Sequence, residues 1–317
     1  MKTILCAIAA AAAVVVSAQD VPQDADVRKV HARVYKEVSP GIVGVRDSAY
    51  RGTGVILHRA GWILTSQTAL RPRTDKVQVY LRGHVRVEGR VVERIPELET
   101  VLVKIAPDAV PGVIEPGDSD DVRVGHVAYT LGDVFDSIFA DDQVAMSAGV
   151  VSALYELKQG HARSKYVGPV LETSAAVNPN LDGGALIDRE GRLIGMITMN
   201  YDESRFAGAA IPINRILAAV SKRLRSEAGE PWLGWTLEFG EAGAVTVSRV
   251  APDGPAAKAG VKTGDRLTKF GSGAPTTSAA YSRALRLVIP GDEVVVVVTR
   301  GGKELTLRFK ADVKEFY

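Results

Sequence analysis

The chain is 317 residues long, with 46% hydrophobic and 24% charged residues, the balance of a globular protein and not of a disordered one. That length accommodates two domains of ordinary size. The 39 Lys and Arg residues against 37 Asp and Glu leave a formal charge of +2. No basic stripe upsets this balance, so the electrostatics give no reason to expect nucleic acid or an anionic membrane as a partner.

Residues 1–18 read as a signal peptide. Lys2 supplies the positive start, Ile4 to Val16 form an apolar run, and Val16-Ser17-Ala18 offers small residues at a cleavage point. The run is shorter than the ~20 residues needed to cross a bilayer. Cys6 stands near the start of the run, not after it as a lipid-anchoring cysteine would. Cleavage after Ala18 would remove this single cysteine, leaving no disulfide and no thiolate metal site. The expectation is export to the periplasm or beyond the cell, with no membrane-spanning segment.

Val27, Val30, Val34 and Val38 have the spacing of a short amphipathic helix, which Ser39-Pro40-Gly41 ends. From Ile42 to about Ile213, short β-rich runs alternate with Gly, Asp and Pro. Lys76 to Leu81, Val101 to Ile105 and Leu193 to Ile197 are examples. Many short strands with close turns predict an antiparallel β-barrel or sandwich. Arg215 to Arg225 reads as a helix with Ile216, Leu217, Val220 and Leu224 on one face, and Glu227 to Pro231 as a linker. Beyond it lies a compact α+β module. It has a strand over Ala244–Val250, helices near Pro255–Ala259 and Ser278–Val288, and two closing strands joined by Gly301-Gly302.

Three blocks carry a family resemblance. Gly52-Thr53-Gly54-Val55-Ile56-Leu57, followed by Gly61-Trp62-Ile63-Leu64-Thr65, is similar to the strand-turn-strand of HtrA (DegP-like) proteases. Glu99-Thr100-Val101-Leu102-Val103-Lys104-Ile105 resembles that family's Asp-Leu-Ala-Val-Leu-Lys-Ile. Glu172 to Leu186, with Asn178-Pro179-Asn180-Leu181-Asp182-Gly183-Gly184, resembles its Asn-Pro-Gly-Asn-Ser-Gly-Gly loop. The resemblance implies a mostly β fold: a trypsin-like double antiparallel β-barrel domain over 27–225, then a small α+β PDZ domain over 231–313. Pro255 to Val261 and Gly264-Asp265-Arg266-Leu267 carry the PDZ signature.

The chemistry of that family needs a nucleophilic hydroxyl, an imidazole to take its proton and a carboxylate to orient the imidazole. On the resemblance, the base position is Thr68, the orienting position Glu99 and the nucleophile position Asp182. A threonine hydroxyl cannot accept a proton at neutral pH, and a carboxylate would repel a developing oxyanion. Asn180 and Leu181 stand where the family has Gly-Asn, which shapes the oxyanion loop through a backbone conformation that side chains resist. The degenerate triad and loop predict a pseudoprotease. The rival expectation is an active serine endopeptidase with a nucleophile and base elsewhere.

His31, His58, His84, His126 and His161 read as surface or edge histidines, and Ser174 as an ordinary strand residue. No His/Asp/Glu grouping has metal-ligand spacing, so neither metal nor cofactor is expected. In the C-terminal module Trp232-Leu233-Gly234-Trp235 resembles the loop whose N–H groups receive a peptide carboxylate. The expected partners are C-terminal or unfolded peptide segments, and also an active relative. The resemblance implies a homotrimer, with Val34 and Tyr35 as candidate contacts.

Overall fold

A computed structural model describes residues 24–159, 166–198, 208–271 and 273–313. The signal-peptide reading and His161 lie outside the described residues. Helix α1 (Asp24–Val38) begins three residues before the first predicted apolar position and buries Val34 and Val38. Val34 is 0% exposed and packs into the chain's own core, so it offers no surface to a second copy.

Strands β1 (Ile42–Arg46), β2 (Arg51–His58), β3 (Trp62–Ser66), β4 (Lys76–Leu81), β5 (Val85–Ile95) and β6 (Thr100–Lys104) close a barrel in the order β1-β2-β3-β6-β5-β4. Strand β4 shows the alternation that sheet pleating demands. Val77, Val79 and Leu81 point inward while Lys76 and Gln78 face solvent. The interior is filled by β-branched residues from facing strands, among them Val43, Ile56, Ile63, Val79 and Val101.

The second barrel runs β7 (Val127–Gly132), helix α2 (Ser137–Asp141), β8 (Ala145–Leu157), β9 (Gly168–Thr173), β10 (Ala185–Asp188), β11 (Leu193–Thr198) and β12 (Gly208–Pro212). It closes as β10-β11-β12-β9-β8-β7. The architecture is therefore the double antiparallel barrel, and not a sandwich. Strands β3 and β11 are buried along their whole length, because each has its own barrel on one face and neighbouring structure on the other. Helix α3 (Ile213–Ala228) lays Ile216, Leu217, Val220 and Leu224 inward, the predicted face. It extends two residues into the predicted linker and stops at Gly229, whose φ of 92° suits glycine.

The C-terminal module comprises β13 (Pro231–Trp232), β14 (Trp235–Phe239), β15 (Val245–Val250), α4 (Pro255–Lys258), β16 (Arg266–Phe270), α5 (Ser278–Ala284), β17 (Glu293–Arg300), β18 (Lys303–Lys310) and β19 (Asp312–Val313). Its sheet runs β14-β15-β16-β17-β18, and β13 pairs with β19. Helix α5 ends four residues short of the predicted Val288 and gives way to a turn. The Gly264-Asp265 signature has a structural purpose. Buried Asp265 accepts the Lys262 N–H at 2.9 Å and both Nε and Nη2 of Arg300, at 2.6 and 2.7 Å, a bidentate pair that fixes the β16 turn.

The module packs on the barrels. Ile289 enters an apolar cluster with Trp62, Leu102 and Leu224. Around it, His58 Nε2 meets Asp292 Oδ2 at 2.8 Å, Arg283 reaches Asp118 at 2.5 Å, and Arg286 donates to the Asn214 carbonyl at 2.8 Å.

Asp47 organises the loop after β3. Its carboxylate accepts the N–H groups of Ala49, Tyr50 and Arg71 at 2.7, 2.8 and 2.7 Å, and the Thr74 hydroxyl at 2.8 Å. Burial opposes ionisation, but these donors outweigh it and hold the carboxyl well below the ordinary aspartate range. Ionised Asp47 therefore contributes stability above the unfolded aspartate value, lost only as pH falls through the depressed folded one. Asp47→Asn is expected to lower the unfolding free energy by about 1–3 kcal/mol at pH 7. In urea titrations the deficit should shrink below about pH 4; a deficit that grows on acidification would contradict the assignment.

Candidate functional site

The cleft between the barrels is assembled at Thr53, which is fully buried on β2. Its N–H donates to the Asp182 carbonyl at 2.9 Å and its hydroxyl donates to the Asn180 carbonyl at 2.8 Å. The same hydroxyl accepts the Asp133 N–H at 2.8 Å, and the Thr53 carbonyl accepts the Thr65 hydroxyl at 2.6 Å. Gly183 makes the close approach feasible. A Cβ there would lie 2.4 Å from the Thr53 oxygen and 2.5 Å from the Ser66 nitrogen, and φ is +80°.

All three sequence-predicted triad positions come to this seam. Thr68 sits in a single 3₁₀ turn (Gln67–Ala69) after β3, with its hydroxyl 2.7 Å from the Ser66 hydroxyl. Ser66 also accepts the Thr68 N–H, capping the turn. Glu99 is completely buried at φ 50°, its carbonyl accepts the Gln67 N–H at 2.8 Å, and its Oε2 accepts the Thr198 hydroxyl at 2.7 Å. Asp182 is half-buried in the loop between β9 and β10. The Glu99 carboxylate thus has a supporting hydroxyl, while Thr68 presents a hydroxyl bonded to another hydroxyl.

Asn180 takes φ 73°, the left-handed conformation that glycine favours. Asparagine is the side chain best able to do so, because its short amide finds local partners. Here Nδ2 donates to Asp136 Oδ1 at 2.7 Å. The turn is closed by Leu181 N–H to the Asn178 carbonyl and Gly184 N–H to the Leu181 carbonyl, at 3.1 and 2.8 Å. Leu181 is buried in the second barrel's core.

Four residues that sequence reasoning missed surround this turn: Arg51, Thr53, Asp133 and Asp136. Arg51 pairs with Asp136 at 2.8 Å. Asp133 is 0% exposed, with Oδ1 accepting the Ile138 N–H at 2.7 Å. Burial pushes its pKa up to about 6, with the neighbouring Asp136 charge adding to the effect and Arg51 opposing it. Thr53 lies in a resemblance block but was not singled out there, and no motif marks the other three; the partners of all four lie on strands and loops far apart in the sequence.

Three of the four described histidines have partners outside the seam, and the fourth is exposed in a turn. His31 packs edge-on against Tyr129, His58 bridges to Asp292, His126 Nδ1 accepts the Arg123 N–H, and His84 occupies the turn between β4 and β5. Ser174 lies on the exposed side and accepts the Val150 N–H at 3.1 Å. Among the described residues no group of three or more His, Cys, Asp or Glu could hold a metal ion. No helix of the described residues is long and apolar enough to cross a membrane.

In the C-terminal module, Trp232-Leu233-Gly234-Trp235 carries the chain from β13 into β14, with Gly234 at φ 78°. The carbonyls of Leu233 and Gly234 accept the N–H groups of Ala256 and Ala251 at 3.0 and 2.8 Å.

Comparison with known proteins agrees with this geometry. The trypsin-like peptidase domain family matches residues 52–196, and the PDZ domain family matches residues 224–311. The Serine protease Do-like HtrA of Lactococcus lactis subsp. lactis (strain IL1403) is 30% identical over 290 residues, covering 83% of this chain and 70% of that protein. The chain belongs to the HtrA family. The probable periplasmic serine endoprotease DegP-like of Marinomonas sp. is 28% identical over 292 residues. This HtrA-family chain spans 59% of that relative's length, and 54% of a DegP-like relative from Halomonas elongata. The solved structure of the HtrA-type protease AlgW with tripeptide superposes with a TM-score of 0.54 at 24% identity, covering 90% of this chain and 98% of that one. A serine endoprotease from Yersinia pestis gives 0.51 at 24% identity, over 89% and 97% of the two chains.

The raised pKa of Asp133 carries a stability consequence. Between the unfolded value of 3.8 and about 6, the unfolded chain releases this proton and the folded chain keeps it. Stability from this group therefore falls as pH rises through that window. Relative to wild type, Asp133→Asn should gain up to about 2–3 kcal/mol of unfolding free energy between pH 4 and pH 7. A difference that is flat with pH would show that Asp133 titrates normally.

Proposed function

We propose that this chain is a non-catalytic member of the HtrA family, exported to the periplasm or beyond the cell, that binds peptide segments of other proteins. The observation carrying this reading is the side-chain set at the seam. The Thr68 and Ser66 hydroxyls are bonded to each other, a carboxylate stands at position 182, three described histidines have partners elsewhere, and His84 is exposed in the β4–β5 turn. Peptide hydrolysis needs a nucleophile whose proton is taken by a base within hydrogen-bond reach. Loss of one member of such a triad costs several powers of ten in rate. The names of the DegP-like relatives, which include "periplasmic", support the location. An active relative is a natural partner, and a trimer of this chain would have to use contacts other than Val34.

A second reading, an active serine endopeptidase, draws on the Glu99–Thr198 hydrogen bond and the left-handed turn at Asn180. The test is incubation of the purified chain with an unfolded protein, monitored for new N-termini, together with a serine-directed fluorophosphonate probe. No cleavage above a Thr68→Ala/Asp182→Ala control and no labelling are expected. Asp182→Ser alone should remain inactive, because position 68 still lacks an imidazole. Cleavage by wild type that persists in the double variant would establish a site elsewhere.

Peptide capture is assigned to the C-terminal module, where a ligand strand adds to β14 and its carboxylate meets the 232–235 loop. In calorimetry with the whole chain, peptides with an apolar free C-terminus should bind and the same peptides amidated should not. Equal binding of acid and amide would remove the carboxylate loop from the account.

A further inference from the structure

We propose that a groove on the outer side of the second barrel, beside the start of α3, binds a straight-chain fatty acid. The site is separate from the seam and does not rest on the peptide-binding reading.

The groove has a volume of about 480 Å³, the scale of a small-molecule pocket. Three parts of the chain meet there: the loop before β7, the β8–β9 ladder and the first turn of α3. Val122 and Leu171 are buried at its base and belong to the barrel's apolar core. Exposed Leu154 and Pro169, with half-buried Tyr155, line it from β8 and β9. Apolar surface continuous with the core is thus open to water, and covering it with hydrocarbon is favourable.

Two guanidiniums, those of Arg123 and Arg215, supply the charge. Arg123 Nη1 donates to the carbonyls of Asp120 and Val122, each at 2.8 Å, and Arg215 Nη2 donates to the Val167 carbonyl at 3.3 Å. Carbonyls hold a guanidinium in place but leave its charge uncompensated. Among the described residues neither arginine forms an ion pair. Asp120 lines the same groove, but its carboxylate reaches Arg283 at 3.4 Å. Glu156, opposite Pro169 in the ladder, bonds neither arginine.

The polar groups around them already have partners. The N–H groups of Asp120, Asp121 and Arg123 donate to Asp118 Oδ1, the Asp118 carbonyl and His126 Nδ1. Ser119 Oγ accepts the Asn214 N–H, and the Asn214 amide donates to Asp118. Strands β8 and β9 are each paired on both sides in a closed barrel, so no sheet edge is open to a peptide strand. A matching ligand therefore brings one anion for the guanidiniums and an apolar body that needs no backbone pairing. An alkyl monocarboxylate has this composition, and a peptide does not.

The experiment is isothermal titration of the full chain with hexanoate, octanoate and decanoate, each below its micelle-forming concentration, and with 1-octanol. Saturable binding is expected to tighten about fourfold per added methylene, the worth of burying one such group. Octanoate should bind at least about tenfold more tightly than 1-octanol, the effect of a charged hydrogen-bond partner. Arg215→Gln should weaken octanoate about tenfold on the same ground, and Leu154→Ser should flatten the dependence on chain length. An Arg123→Gln/Arg215→Gln variant, checked for folding by its thermal transition, should not bind octanoate measurably. The proposal is overturned by absence of saturable binding, by octanol binding as tightly as octanoate, or by affinity that ignores chain length. Octanoate binding unchanged in the folded double variant would also overturn it, and Arg215→Gln decides alone if that variant does not fold. A decapeptide with a free apolar C-terminus should leave the octanoate isotherm unchanged; displacement of octanoate by it would make a peptide the ligand and refute the fatty-acid assignment.

Discussion

Thr53 uses every polar group it has at the seam between the barrels. Its N–H and hydroxyl hold two carbonyls of the 180–182 turn, its hydroxyl also receives the Asp133 N–H, and its carbonyl receives the Thr65 hydroxyl. Because the residue is fully buried, each of these groups would otherwise be a desolvated donor or acceptor without a partner. The flanking glycines belong to the same arrangement. A Cβ on Gly52 would press on Ala69 at 2.7 Å, and one on Gly54 would meet Ile63 and Val45, each at 2.8 Å. The Gly-Thr-Gly run is therefore a packing device that joins two barrels, and its demands do not depend on which side chain occupies position 182. The frame around the cleft therefore keeps its shape with Thr68 and Asp182 beside it.

Carboxylates dominate this wall of the seam. Asp133 and Asp136 lie beside the turn, with Arg51 as their cation, and the balance still leaves Asp133 with a raised pKa. Stabilising a developing oxyanion requires donors and positive potential aimed at one point. Here Asn180 turns its amide toward a carboxylate, and Gly183 and Gly184 spend their N–H groups on the Ile197 and Leu181 carbonyls. The same bonds that keep the turn rigid take donors out of use.

How much could be read in advance follows from how local each cause is. The β4 alternation, the α3 face and the Gly301-Gly302 turn are set by neighbours in sequence, and the structure has them in place. The blocks containing Thr68, Glu99 and Asp182 were legible because their spacing is that of a known frame. Asp133, Asp136 and Arg51 were not, since their roles arise from contacts far apart in sequence, Asp133 with Thr53, Asn180 with Asp136 and Arg51 with Asp136. The glycine-like turn at Asn180 was legible as a position but not as an outcome. Only the amide's partner explains why a side chain tolerates φ 73° there. Val34 misled for a related reason, because a helix's apolar stripe does not say whether its partner is the same chain or another.

Helix α5 links the two halves of the molecule through packing. At seven residues it is too short to be stable alone, and its Thr277 cap secures only one end. Its position is determined from two sides. Tyr281 binds the Trp235 indole within the module, and Arg283 reaches across to Asp118, with Asp120 at 3.4 Å. Asp118 is itself braced by the Asn214 amide at 2.6 Å, at the start of α3. The spacing between β14 and α5 is therefore set by the barrel surface as well as by the module's own core. A ligand that needed the helix to move outward would have to strain a partly desolvated ion pair in addition to the Trp235–Tyr281 hydrogen bond.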